Sequence, residues 1–313
     1  MPLFTQEISH IPTRLTDECP INPFSVMRKT TGVWTDRKHD WESLGIESAE
    51  GRDTKHYNAL PVNISGAKYY DTEDVQPIST FDPVICEVVY KWFSKKGDKI
   101  LDPFAGGSVR GAVASLLGRR YTGIDLSQKQ ILANSNQVNK LMQKYIGMNK
   151  TEWYIGDSEY VLDDLIALDE EYDLLFTCPP YYNLEQYTRD GRDLSRQATY
   201  EAFLDKYTTI ISKACSTLKT NAFSAIVVGE IRNQETGEYY GLVPDTINIF
   251  RNAGLHYYNE IIIEDPIASL PLRGPRHFNQ SRKIGKHHQN LLIFYKGELS
   301  EIRDKCEILN NPE

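Results

Sequence analysis

The sequence has no apolar run near the roughly 18 residues that a membrane-spanning helix needs. Its opening, MPLFTQEISH, lacks the basic, then apolar, then small-residue order of a secretory leader, so a cytoplasmic protein with no membrane partner is expected. Cysteine is scarce and unpatterned. Cys19, Cys86, Cys178, Cys215 and Cys306 are odd in number and never fall as C-x-x-C, which argues against both a disulfide framework and a zinc cage. His277, His287 and His288 have no Cys or carboxylate at ligand spacing, so no metal is expected. G-x-G-x-x-G after a strand is missing, as is the Gly-Lys-Ser/Thr of a phosphate loop, which disfavours a nicotinamide dinucleotide or a nucleoside triphosphate. Internal repeats and low-complexity tracts are absent. A net charge of -8 argues against indiscriminate coating of nucleic acid but leaves room for a local basic surface.

What is present is an alternation. The 313 residues, 40% of them apolar, suffice for one large domain with a modest appendage. Residues 1–75 read as an irregular N-terminal extension rich in Pro, Asp and Thr, either a packing element or a DNA contact. Residues 76–300 read as the main domain and 301–313 as a tail. Within the main domain, helical patterns at PVICEVVYKWFSK, VRGAVASLLG, SQKQILANSNQVNKLMQKY, YVLDDLIAL, TYEAFLDKYTTIISKACSTL and LVPDTINIFRNAG alternate with strands. Those strands are KILDPF, RRYTGIDL, TEWYIGD, YDLLFT, FSAIVVGE, YYNEIIIED and QNLLIFYKG. Strands separated by helices predict an α/β, doubly wound, mostly parallel sheet with right-handed crossovers.

Ligands of such sheets sit at the carboxyl ends of the strands, which selects the candidate site residues. In LDPFAGGSVRG, Asp102 closes a strand, and Gly106, Gly107 and Gly111 let backbone approach a ligand and let the next helix pack closely. Asp125 ends the second strand, 18 residues past Gly107, where a carboxylate can accept from both hydroxyls of a ribose. Asp157 ends the third, where it or its neighbouring N–H can face an adenine ring. Each acid has a competing reading as a helix N-cap. The fourth strand runs into FTCPPYYNLEQY, whose two prolines forbid helix and central strand while three aromatics follow within seven residues.

DPFAGG, an acidic second-strand end and a Pro-Pro-Tyr corner after the fourth strand together resemble the DNA amino-methyltransferases, which methylate N6 of adenine or N4 of cytosine with S-adenosylmethionine. The likeness runs from about Phe81 onward and includes RKIGKHHQNLLIFYKG. The opening NPFSVMRKTTGVWTDRKHDWESLGI is similar to the front end of phage and prophage methylases. The resemblance implies a Rossmann-like class I methyltransferase fold, a bacterial or phage-infected host cell, and double-stranded DNA as partner. It assigns the cofactor to Asp102, Phe104, Ala105, Gly106, Gly107, Asp125, Asp157 and Ser158, and catalysis to Cys178, Pro179, Pro180 and Tyr181. An exocyclic amino nitrogen is a poor nucleophile because its lone pair is delocalised into the ring. In the family the residue before the prolines and the first proline's carbonyl accept the amino hydrogens, and the following aromatic stacks on the flipped base. Here these are Cys178, Pro179 and Tyr181, with Pro180 fixing the turn and Tyr182 able to shape the same pocket.

Cys178 departs from the family's Asp, Asn or Ser. Its size is closest to Ser, which goes more often with cytosine N4, so N4 of cytosine is favoured over N6 of adenine. Three alternatives stay open: a catalytically degenerate protein that binds DNA or cofactor, C5-pyrimidine methylation with Cys178 as nucleophile, or methylation of RNA or a free base. The C5 enzymes present their cysteine after a proline rather than before one, and no nearby Glu-Asn-Val is seen.

DNA contacts are expected from Arg189, Arg192 and Arg196 after the corner, and from a stretch between Leu270 and Lys296 without Asp or Glu that carries Arg273, Arg276, Arg282, Lys283 and Lys286. The competing reading of that stretch is a solvated loop. In WTDRKHDW, Trp34 and Trp41 stand seven apart on one helical face, a spacing that favours a packing stripe over base reading by Trp34, Arg37, Lys38 and Trp41.

Overall fold

A computed structural model describes residues 11–17, 19–47, 81–182, 190–268 and 270–305. The chain enters through β1 (Val26–Arg28) and α1 (Gly32–Ser43), then α2 (Pro83–Phe93), β2 (Lys99–Asp102), α3 (Val109–Leu116), β3 (Arg120–Asp125) and α4 (Gln128–Lys144). It continues with β4 (Thr151–Ile155), α5 (Ser158–Ala167), β5 (Tyr172–Thr177), α6 (Tyr200–Ser216), β6 (Leu218–Val228) and α7 (Leu242–Asn252). It closes with β7 (His256–Glu264), α8 (Leu270–Ser281), β8 (His288–Lys296) and α9 (Ile302–Lys305). The sheet order is β1-β7-β8-β6-β5-β2-β3-β4. Every neighbouring pair is parallel except those of β8, which runs antiparallel to both β6 and β7. The expected doubly wound, mostly parallel sheet is therefore the one observed.

The two faces carry separate apolar layers. One buries Val84, Val88, Val113, Val138 and Leu141 of α2, α3 and α4. The other buries Leu162, Phe203, Ile210, Ile249 and Phe250 of α5, α6 and α7. Strands β2 and β5 are buried almost throughout, as a central parallel strand covered on both faces must be. Helix starts follow local capping rules. Asp82, Ser127, Asp157 and Thr199 each accept a backbone N–H of the first turn, at α2, α4, α5 and α6.

The N-terminal segment is built into the domain. β1 extends the sheet beside β7, with Ile262 N donating to Ser25 O at 2.8 Å. Trp34 and Trp41 are both 1% exposed and lie on the inner side of α1, the packing arrangement that their spacing favoured. Their indole N–H groups donate to Asp82 Oδ2 and Glu87 Oε2 at 3.0 and 2.9 Å. Arg37 between them is not free for DNA. It grips fully buried Glu87 with Nε and Nη2 at 3.0 and 2.7 Å, while Lys91 Nζ donates to the same carboxylate at 2.8 Å. Burial pulls the Lys91 pKa below its ordinary value against the pull of Glu87.

Taking one member out of a buried ion pair strands its partners in low dielectric. Glu87→Gln should cost about 3–5 kcal/mol in urea unfolding, because Arg37 and Lys91 lose their shared counter-charge. A loss below about 1 kcal/mol would show that water reaches the pair.

Candidate active site at the strand ends

The ends of β2, β3 and β5 are joined through one fully buried carboxylate. Asp102 Oδ2 accepts from Arg110 Nε at 2.5 Å and Tyr121 Oη at 2.6 Å, while Oδ1 accepts from Thr177 Oγ1 at 2.6 Å and Phe104 N at 3.1 Å. The free end of the Arg110 fork donates to the carbonyls of Phe104 and Ala105 at 2.6 and 3.0 Å, lashing the turn after β2 in place. Burial opposes the charge on Arg110, but Asp102, Tyr121 and Cys178 together outweigh it, so its pKa lies above the ordinary value. Asp102 does not line the cavity at the strand ends. It shapes the turn, drawn inward by Arg110 of α3. Gly111 likewise serves helix packing, since a Cβ there would meet the Trp153 ring at 2.7 Å.

The remaining cofactor candidates do line that cavity, of about 470 Å³: Phe104, Ala105, Gly106, Gly107, Asp125, Asp157 and Ser158. Gly106 takes φ +52°, a left-handed conformation that exposes its backbone. Its N–H donates to Asp125 Oδ2 at 3.0 Å, and Ser127 N donates to Asp125 Oδ1 at 2.7 Å. Burial still pushes the Asp125 carboxyl up to about 6, against the lowering effect of those two donors. A carboxylate this poorly solvated has capacity for further hydroxyl donors. Asp157 caps α5 through Glu159 N at 3.1 Å and pairs with Lys206 Nζ at 2.7 Å, so the N-cap reading holds while the residue still faces the cavity. The Ser158 hydroxyl donates to Pro103 O.

Cys178, Pro179, Pro180 and Tyr181 open onto the same cavity from the end of β5. Tyr181 Oη accepts from Gln289 Nε2 at 3.2 Å. Tyr182 turns away into an aromatic cluster, with ring centroids 5.7, 5.7 and 5.3 Å from Tyr200, Phe203 and Tyr240. It therefore packs the core and does not shape the pocket. Lys29, Asp82, Asp265 and Gln289 line the cavity as well. No motif singled them out, although Lys29 falls in the phage-like opening and Gln289 in RKIGKHHQNLLIFYKG.

The basic residues divide. Arg189 lies outside the described residues. Arg192 lines the cavity and pairs with Asp190 at 2.6 Å, which holds the Asp190 carboxyl down at about 2. Arg196 is exposed at the end of a short helical turn. The Leu270–Lys296 stretch is not all loop, since α8 forms its first part despite the internal Pro275. Arg273 lies on α8, Arg276 there is exposed, and exposed Arg282 sits with its guanidinium 5.1 Å from the Phe278 ring centroid. Lys283 is half-buried with its tip beside Gly237, and Lys286 donates to Asn290 Oδ1 at 3.3 Å. Burial lowers the Lys286 pKa against the pull of Glu230 and Glu260. Arg276 and Arg282 are thus more exposed than either lysine. Among the described residues no helix is long and apolar enough to cross a membrane, and no cluster of three or more His, Cys, Asp or Glu is placed to hold a metal.

Residues 28–136 match a family model described as DNA methylase. The chain is 50% identical over 38 residues to the Type II methyltransferase M2.DpnII of Streptococcus pneumoniae. Both likenesses are to methyltransferases. The second match spans 12% of this chain and 14% of that relative. Similar solved structures include TrmN from Thermus thermophilus, 13% identical, covering 69% of this chain and 49% of its own, with TM-score 0.44. Another is the magnesium protoporphyrin IX methyltransferase of Synechocystis PCC 6803 with bound SAM, 11% identical, covering 64% and 71% of the two chains, with TM-score 0.40.

Asp102 and Asp125 sit one strand apart and should respond differently to mutation. Asp102→Asn should cost about 3–5 kcal/mol in chemical denaturation, since Arg110 is left without its counter-charge. Asp125→Asn should cost much less, because its carboxylate is already strained by burial. The opposite order would mean that Asp125 is the one that holds the strand ends.

Proposed function

We propose that the chain is an S-adenosylmethionine-dependent DNA methyltransferase acting on an exocyclic amino group of a flipped base, with N4 of cytosine favoured over N6 of adenine. The observation that carries this is a shared cavity: the glycine turn and Asp125 form one wall, and the Cys178–Tyr181 corner forms another. The wall suits the cofactor. Asp125 offers a half-buried carboxylate to the ribose hydroxyls, Gly106 and Gly107 leave backbone accessible, and Phe104 supplies an apolar face. When bound, S-adenosylmethionine supplies an activated methyl group.

The residues of the chain do the orienting. The Pro179 carbonyl accepts an amino hydrogen and turns the nitrogen lone pair out of conjugation, and Pro180 fixes that carbonyl's direction. Tyr181 offers a stacking face, its ring held from the hydroxyl end by Gln289. Arg276 and Arg282 are exposed for phosphate contacts, with Arg192 at the cavity itself. A second reading rests on the placement of Cys178 in the cavity wall, where a thiolate would attack C6 of a pyrimidine.

One experiment separates the readings. Wild type and Cys178→Ser are incubated with tritiated S-adenosylmethionine and duplex DNA, and the DNA is digested to nucleosides. Label in N4-methyl-2′-deoxycytidine or N6-methyl-2′-deoxyadenosine, with Cys178→Ser equally or more active, is the expected result. Label at C5 with a dead Cys178→Ser variant would establish the nucleophile instead, and no label in DNA would remove the function.

Asp125 also sets a pH dependence. Its hydroxyl partners need the ionised carboxylate, whose pKa in the free protein is about 6. Cofactor affinity measured by calorimetry should be flat above that pH and fall by about tenfold per unit below it. Asp125→Ala should lose about 10- to 150-fold in affinity and abolish the slope. Unchanged binding by Asp125→Ala would remove the residue from the site.

A further inference from the structure

Beyond Tyr181 the cavity is walled by Gln289 at the start of β8, Asp265 just past β7 and Lys29 just past β1. Two side-chain pairs stand here, joined through the main-chain ladder of β7 and β8. Gln289 Nε2 holds Tyr181 Oη at 3.2 Å, and Gln289 pairs in register with Ile263, two residues before Asp265. The ladder continues through Asp265, whose N–H donates to His287 O at 2.8 Å. Residues two apart on a strand share a face, so Asp265 stands on the face that carries Gln289. Lys29 Nζ donates to Asp265 Oδ1 at 2.7 Å, with its own N–H on Glu264 O at 3.2 Å.

We infer that the Lys29–Asp265 pair reads the target base: Asp265 accepts a hydrogen of the exocyclic amino group, and Lys29 donates to the ring nitrogen beside it. This rests on the function proposed above and names how that site recognises its substrate. The amino edge of cytosine (N4 with N3) and that of adenine (N6 with N1) both set a donor beside an acceptor. An ion pair presents the complement, an acceptor beside a donor. Thymine, with a protonated N3 beside O4, has the opposite order. Both ions have capacity left, because an ammonium carries three hydrogens and a carboxylate about four acceptor sites. The side chains are 17% and 33% exposed, a partly dry setting in which charge-assisted hydrogen bonds are strong.

The pair also accounts for Cys178. A thiol is a weak acceptor, so a corner with cysteine before its prolines gains from a carboxylate on another wall. Asp265 comes from a strand that the Pro-Pro-Tyr motif does not contain, and Lys29 from the N-terminal segment. β1 thereby becomes part of the pocket as well as of the sheet edge.

The test compares wild type, Asp265→Asn, Lys29→Met and Asp265→Asn combined with Cys178→Asp. Each is assayed for methyl transfer to unmethylated phage DNA over a range of DNA concentrations, for S-adenosylmethionine binding by calorimetry, and for thermal melting. Both single variants should lose about 10- to 150-fold in kcat/KM for DNA while keeping cofactor affinity and melting temperature. Adding Cys178→Asp should recover part of the Asp265→Asn loss by placing an acceptor on the corner. The inference is overturned if wild type methylates DNA and either single variant stays within about twofold of it. It is equally overturned if cofactor affinity and melting fall in step with the rate, since the pair would then only tie β1 to β7. A wild type that transfers no methyl to DNA would sink the proposed function and this inference together.

Discussion

The arrangement of the strand ends depends on one buried charge pair. Asp102 and Arg110 meet at 2.5 Å where water does not reach, and every other acceptor site of Asp102 is taken up by Tyr121 of β3, Thr177 of β5 and the N–H of Phe104. A buried carboxylate is tolerable only when so fully satisfied. Its satisfaction fixes three neighbouring strands at their carboxyl ends. The glycine turn and the proline corner are thereby held on either side of a single cavity, although 71 residues separate Gly107 from Cys178.

A second buried cluster does the same for the N-terminal segment. Glu87 takes up Arg37, Lys91 and the Trp41 indole, and Asp82 takes up the Trp34 indole, so α1 is clamped to α2 by polar contacts inside an apolar layer. Asp82 also lines the cavity, and β1 delivers Lys29 to its far wall. The segment that precedes the recurring strands and helices is therefore continuous with the site.

Much of this was legible in the sequence for simple reasons. β2, β3 and β5 are short strand segments that end in Asp or Thr, apolar in their middle at β2 and β5, and the helices between them repeat apolar residues at helical spacing, which is enough to specify a parallel sheet. The placement of Asp125, Gly106 and Tyr181 around the cavity was legible because the carboxyl ends of the strands of such sheets open onto a crevice. The inward turn of Asp102 was not legible, for nothing local distinguishes a strand-ending carboxylate that faces a cavity from one that turns inward to an arginine eight residues on. Tyr182 was misread because adjacent residues of a corner point in opposite directions. α8 was hidden by Pro275 and Gly274, both poor in helix interiors. Gln289 and Lys29 were hidden by distance, since their partners Tyr181 and Asp265 lie 108 and 236 residues away.

On the proposed function, cofactor and base meet in the cavity between the Asp125 wall and the Tyr181 corner. A crystal structure of the chain with S-adenosylhomocysteine and a short duplex tests it most directly. The account requires the ribose hydroxyls on the Asp125 carboxylate and one unstacked base against the Tyr181 ring, with its amino group toward the Pro179 carbonyl. A nucleoside bound away from Asp125, or a duplex that lies on the protein with every base still stacked and Tyr181 untouched, would contradict it.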